Sequence, residues 1–109
     1  MQIQESSNEM YLVLTIQGSI TNGEVNNIAD RLQAIIKQGR SNIVLDLTGV
    51  NTIDSSALGL LVEYSTKVNL CIYGLNKDIM DTFHLTGMQH ILNIYPHEQD
   101  FLENIDNAF

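Results

Sequence analysis

A chain of 109 residues, 44% of them hydrophobic and with no low-complexity tract, carries material for one ordinary core and excludes a two-domain organisation. Thirteen acidic residues against five basic ones give a net charge of -8. The five cations (Arg31, Lys37, Arg40, Lys67 and Lys77) are scattered, which excludes the clustered basic surface that binding to a nucleic-acid backbone requires, so the acidity either keeps the chain in solution or suits a basic protein partner.

The opening MQIQESS reads as a short strand that turns through SSNE into a second, MYLVLTIQG, ending at Gly18. No basic segment followed by a long apolar run stands at the start, so it is not read as a signal peptide. No stretch reaches the ~18 apolar residues of a membrane span, so no membrane insertion is expected. The period changes at Val25. Val25, Ile28, Ala29, Leu32, Ile35 and Ile36 form one helical stripe, with Thr21 or Asn22 placed to cap its start and Gly39 to end it.

Residues 42–50, NIVLDLTGV, are the compact apolar run of a strand buried on both faces. A helix is expected over 55–67, with Leu58, Leu61, Val62 and Ser65 along one side. A third buried strand follows at 68–75, and its Cys71 reads as a buried thiol, since no basic residue lies near in sequence to activate it. A single cysteine forms no internal disulfide, which fits a reducing compartment, and the expected location is the cytoplasm. The segment NKDIMDTFHLTG is a helix with Ile79, Met80 and Phe83 inward and a stop at Gly87. HILNIYP (90–96) is a strand halted by the only proline, and 97–107 is a last helix presenting Phe101, Leu102 and Ile105.

The expected order is thus β β α β α β α β α. This is an α/β domain over 1–109, with a mixed, mainly parallel sheet of four to five strands, an N-terminal hairpin and about four helices. In such sheets the functional site lies beyond the carboxyl ends of strands, where helices begin. Asp54, Ser55 and Ser56 occupy that place between the strand at 42–50 and the helix at 55. Two readings of the serine pair stand open. A serine there can be a helix cap and nothing more. Yet Asp54 is already a competent cap, and Ala57 and Gly59 are small, which would leave the first turn open to an approaching protein. A phosphate on Ser55 would then add roughly -1.5 to -2 charge to an exposed surface and repel or block a docked partner.

The whole stretch NIVLDLTGVNTIDSSALGLLVEY resembles the signature of the STAS domain, particularly of the bacterial anti-sigma factor antagonists. The matching positions are Val44-Leu45-Asp46-Leu47, Val50, Ile53 and Asp54-Ser55-Ser56-Ala57-Leu58-Gly59, and the likeness extends to Ile16–Ile20 and Leu85–Met88. The resemblance implies a STAS fold and a partner-switching role. Ser55 would be the phosphorylated residue, and its modifier would be the binding partner itself, an anti-sigma factor serine kinase of the histidine-kinase-like ATPase type. The unphosphorylated chain would bind that kinase and free a sigma factor, and a metal-dependent serine phosphatase would reset the switch. Asp54 would position the serine. Ser56, Ala57, Leu58 and the facing segment with Gly18, Ser19 and Thr21 would belong to the docking surface. Two positions depart from the family pattern. Ala57 stands where glycine is common, and Gly18-Ser19-Ile20-Thr21 stands where an acidic residue commonly closes the segment.

Catalytic readings find little support. His84, His90 and His97 lack metal-ligand spacing, and Asp54-Ser55 lacks the Gly-x-Ser-x-Gly elbow. Neither a phosphate-binding P-loop nor a dinucleotide Gly-rich turn is present. No enzyme activity, cofactor or metal is expected. Two other functions stay in view: the STAS subunit of a membrane lipid-transport ATPase, with the serine region as a permanent interface, and a domain that binds a small anionic ligand at the start of the helix at 55.

Overall fold

The computed structural model describes residues 1–109. Strands β1 (Gln2–Ser7) and β2 (Leu12–Ile20) form the antiparallel hairpin, with Ile3 opposite Ile16. Asn8 makes its turn: Oδ1 accepts from the backbone N–H groups of Met10 (2.8 Å) and Tyr11 (2.9 Å). Then come α1 (Asn22–Lys37), β3 (Asn42–Ile53), α2 (Ser55–Ser65), β4 (Asn69–Tyr73), α3 (Lys77–Thr86), β5 (Asn93–Tyr95) and α4 (Glu98–Glu103). The sheet runs β1-β2-β3-β4-β5, parallel from β2 onward. This is the expected mixed α/β sheet, with five strands.

Each crossover steps to the next strand in the same direction, so right-handed connections put α1, α2 and α3 on one face. A core of 22 buried residues fills the space between, with Ile28, Leu32 and Ile35 of α1, Leu60 and Leu61 of α2, and Ile79 and Phe83 of α3 meeting Leu14, Ile43, Leu45 and Ile72 of the sheet. The alternate side chains of the same strands, Val44, Cys71 and Tyr73, face the other way and are covered by Phe101 and Ala108.

Several boundaries differ from the sequence expectation. Strand β2 continues past Gly18 to Ile20, and β3 past Val50 to Ile53. Register shifts at Thr15/Gln17 and Gly18/Ile20 break the alternation while the strands stay paired, and Gly18 takes a φ of +106° there. The strand expected at 90–96 is reduced to Asn93–Tyr95 behind a 3-10 turn at Met88–His90, and the last helix stops at Glu103, before a 3-10 turn at Ile105–Asn107. Helix α2 buries Ala57, Leu60, Leu61 and Tyr64. The expected side with Leu58, Val62 and Ser65 is rotated toward solvent and only half-buried. The helix is apolar on most of its circumference, so its own period does not select the inward face and the sheet beneath does.

Candidate functional site

Strand β3 carries the chain to the carboxyl edge of the sheet. Its extended backbone persists through Asp54 (φ -110°, ψ -177°), and helix α2 begins at the next residue. That geometry makes Asp54 the N-cap, and its Oδ1 accepts from the Ala57 N–H at 3.1 Å. The same oxygen accepts from the Ser56 hydroxyl at 2.6 Å. The second oxygen, Oδ2, accepts from the backbone N–H of Asn22, the first residue of α1, at 2.8 Å. The Asp54 N–H in turn donates to the Ile20 carbonyl at 3.2 Å. Thr21 holds the N-cap position of α1 in extended conformation, yet its side chain makes no capping bond. A carboxylate from another loop does that work.

These bonds hold the Asp54 carboxyl below its ordinary value. The Ser56 hydroxyl is the largest cause, followed by the Ala57 amide, with partial desolvation opposing and the Asn22 and Ser56 amides adding to the lowering. Asp54 is therefore a fixed anion lying between the first turns of α1 and α2.

The two serines are placed differently. Ser56 is half-buried and its hydroxyl is committed to Asp54. Ser55 is exposed, and its hydroxyl takes no part in the network. Ala57 is 1% exposed and packs into the main core. Its methyl faces inward and leaves the expected docking set; the open surface at the start of α2 comes from Ser55 and, just past the first turn, Gly59, both exposed. Leu58 is half-buried. On the facing side, Gly18 and Ser19 are half-buried and Thr21 is exposed, and the Thr52 hydroxyl donates to Ser19 Oγ at 3.0 Å, tying the end of β3 to that segment. The parallel β2–β3 pairing thus brings Asp54–Leu58 and Gly18–Thr21 to one end of the molecule.

One participant escaped the sequence reading. Asn76 caps α3 by accepting from the Ile79 N–H at 2.8 Å, and its amide donates to the carbonyls of Val50 (3.3 Å) and Asn51 (2.8 Å). An Asn before a helix signals a cap, but its reach back to β3 depends on the strand order. The histidines are exposed: His84 late in α3, His90 in the 3-10 turn and His97 at the cap of α4.

The STAS domain family model matches residues 1–101. The structure of an anti-sigma factor antagonist from Mycobacterium paratuberculosis superposes with a TM-score of 0.87 at 18% identity, over 97% of this chain and 94% of that one. The Bacillus cell fate determinant SpoIIAA in its phosphorylated form superposes with a TM-score of 0.70 at 15% identity, over 95% and 99%. In sequence, a probable sulfate permease of Schizosaccharomyces pombe is 27% identical over 116 residues. The match takes in 87% of this chain and 17% of the permease, so the chain spans about a sixth of that relative.

Proposed function

The chain belongs to the STAS domain family, and from that membership we propose that it is an anti-sigma factor antagonist gated by phosphorylation of Ser55. The observation that carries this reading is the contrast between two adjacent hydroxyls. Ser56 is tied to Asp54 at 2.6 Å, whereas Ser55 is exposed and uncommitted at the start of a helix. A kinase needs an exposed acceptor hydroxyl that the fold does not already hold in a hydrogen bond, and Ser55 meets both conditions.

The unmodified first turn of α2, with Ser55, Ser56 and Leu58, and the Gly18–Thr21 segment beside it form the contact, with the Asp54 carboxylate held between them by hydrogen bonds. An anti-sigma factor serine kinase of the histidine-kinase-like ATPase type docks there and is withheld from its sigma factor. Phosphorylation sets a hydrated group of roughly -1.5 to -2 charge in the middle of that contact. The helix N-terminus tolerates the anion, so the domain stays folded. The partner does not tolerate its bulk and desolvation, and leaves. A metal-dependent serine phosphatase restores the contact.

The test is to incubate the chain with candidate kinases and ATP and map the phosphate by mass spectrometry. Modification confined to Ser55, with binding lost in Ser55→Asp and kept in Ser55→Ala, is expected. Binding unchanged in Ser55→Asp defeats the reading.

The permease likeness favours a second reading, in which the same surface is a permanent contact within a transport assembly and no kinase acts on it. An unmodified Ser55 in cells, with a transporter subunit as stable partner, is its expected signature.

A further inference from the structure

The end of the molecule that carries Ser55 also carries a cleft with no assigned use. The last residues of β3 and the first two turns of α3 border an open groove of about 180 Å³, lined by Asn51, Thr52, Ile53, Asp78, Ile79 and Thr82. Its walls are fixed. Asn76 bonds the β3 carbonyls with one end of its amide and caps α3 with the other, and Ile79 and Phe83 pack the same helix against the sheet, so both walls are braced. Through the Thr52–Ser19 hydrogen bond the β3 wall continues into the Gly18–Thr21 segment, and the same wall runs on through Asp54 to Ser55. The cleft residue Ile53 ends β3 only two residues before Ser55, so the cleft borders the proposed contact.

The charge around it is one-sided. Lys37, Arg40 and Lys67 sit at or beyond the far ends of α1 and α2, away from Ser55, and Arg31 pairs with Glu5 at 2.9 Å. The one side-chain cation at the near end, Lys77, is bonded to Asp81 at 3.0 Å, and the Met1 amino group lies beside Gly18 and does not line the cleft. Asp78, beside Lys77 but on the cleft, is exposed and is in salt-bridge contact with no cation of the chain. A first-turn acid is favourable in any helix, so Asp78 alone would mean little. Here it stands at the mouth of a preformed cleft whose other parts suit a cation on an aliphatic stem. Ile53 and Ile79 offer apolar contact to methylenes, and the hydroxyl oxygens of Thr52 and Thr82 offer acceptors.

We propose that this cleft receives a lysine or arginine side chain of the protein that docks over Ser55, with Asp78 as its counter-ion. The identity of that protein rests on the antagonist reading; the cation specificity of the cleft does not. The cation lies beside the modified residue rather than against it. The phosphate therefore acts locally, through bulk and hydration, while the acidic cleft sets the approach and register of the partner.

Two measurements decide it. The first is an amide-resolved NMR titration of the intact chain with Nα-acetyl-arginine amide. Shifts concentrated at Thr52, Asp78 and Thr82, lost in Asp78→Asn and kept in the equal-charge control Glu103→Gln, are expected. Shifts that are absent, or that Asp78→Asn leaves intact, overturn the site. The second is the affinity of the kinase that modifies Ser55. Asp78→Asn is expected to weaken it roughly three- to tenfold at about 50 mM salt and hardly at all near 0.5 M. An affinity equal to that of Glu103→Gln at low salt overturns the assignment of the cleft to the partner. If no kinase modifies Ser55, the antagonist reading fails by itself, and the arginine titration still decides the cleft.

Discussion

The carboxylate of Asp54 accepts the backbone N–H of Asn22 at 2.8 Å, across 32 residues of sequence, while its other oxygen caps α2. One side chain thus serves the first turns of two helices and ties together the two halves of the proposed docking surface. An asparagine in its place would keep an acceptor for only one of them, because its NH2 group must face either the Asn22 N–H or the Ser56 hydroxyl. Asp54→Asn is expected to speed hydrogen exchange at Asn22 relative to the middle of α1 and to lower Tm, and Asp54→Ala to lower it further. Unchanged exchange at Asn22 in both variants would show that the bond does not couple the loops.

The same carboxylate sets a pH dependence. Its pKa is lowered in the folded state, mainly by the Ser56 hydroxyl and then the Ala57 amide, so its ionised form is the stabilising one. The contribution is complete above the ordinary aspartate value of about 4 and is lost as pH falls through the lower folded-state value. The Tm gap between the chain and Asp54→Asn should therefore be constant from neutral pH down to about pH 5 and close under stronger acid. A gap that instead closes between about pH 6 and 7 would assign the effect to another group.

Gly74, at the exit of β4 toward α3, has a φ of +84°, and a Cβ there would overlap Thr48 Oγ1 and lie 2.9 Å from the Thr48 nitrogen. The left-handed backbone and the clash act together. Gly74→Ala should cost about 2–4 kcal/mol, measured as a fall in the urea midpoint at unchanged slope. Adding Thr48→Ala removes the hydroxyl but not the nitrogen, so rescue is expected to be partial at most.

The order of elements was legible because each strand and helix in the centre of the chain carries its own period: the α1 stripe, the runs around Leu45 and Ile72, the stop at Gly87. The ends of β2 and β3 were not. Their bulged pairing spaces Ile20, Val50 and Ile53 irregularly, so an alternation template stops too soon. The site was legible as far as one loop can specify it. Asp54 as cap and Ser55 as the outward hydroxyl are local consequences of the strand-to-helix junction. The bond from Asp54 to Asn22 and those from Asn76 to β3 join segments far apart in sequence, and only the β2-β3-β4 adjacency brings them together. Ala57 went the other way: its small size suggested an open turn, while the packing of α2 turned it inward.

Asn76 makes a sharper prediction than an ordinary cap. Loss of the cap in Asn76→Ala removes the bond to Ile79 N–H and both bonds to the β3 carbonyls, for an expected cost of about 1–2 kcal/mol in urea unfolding. Aspartate is an equally good cap in isolation, but in Asn76→Asp a carboxylate would replace the amide that faces the Val50 and Asn51 oxygens. That variant should be no more stable than Asn76→Ala at neutral pH. Full rescue by aspartate would reduce Asn76 to a cap and remove its role as the brace of the cleft.

Cys71 tests how the second face is closed. It is fully buried, its thiol donates to the Ala108 carbonyl at 3.3 Å, and Asn93 donates to its sulfur at 3.2 Å. Burial pushes the thiol up to about 11, with the Asn93 contact opposing. At pH 8 only about one molecule in a thousand would carry the thiolate, even were the sulfur reachable. Reaction with a disulfide-exchange reagent therefore requires the segment after Pro96 to lift. Phe101 holds that segment, 1% exposed and ringed by Tyr11, Tyr73, Tyr95 and Phe109 at centroid distances of 5.4 to 6.1 Å. Phe101→Ala should cost the docked segment about 3–5 kcal/mol. Since the 22-residue core lies on the opposite face, that loss is expected as local opening: a rise in thiol reactivity of about a hundredfold or more, with the far-UV spectrum and the arginine titration unchanged. Equal reactivity in the two proteins would mean that Phe101 does not gate access to Cys71. Loss of the far-UV spectrum would mean that the two faces unfold as one.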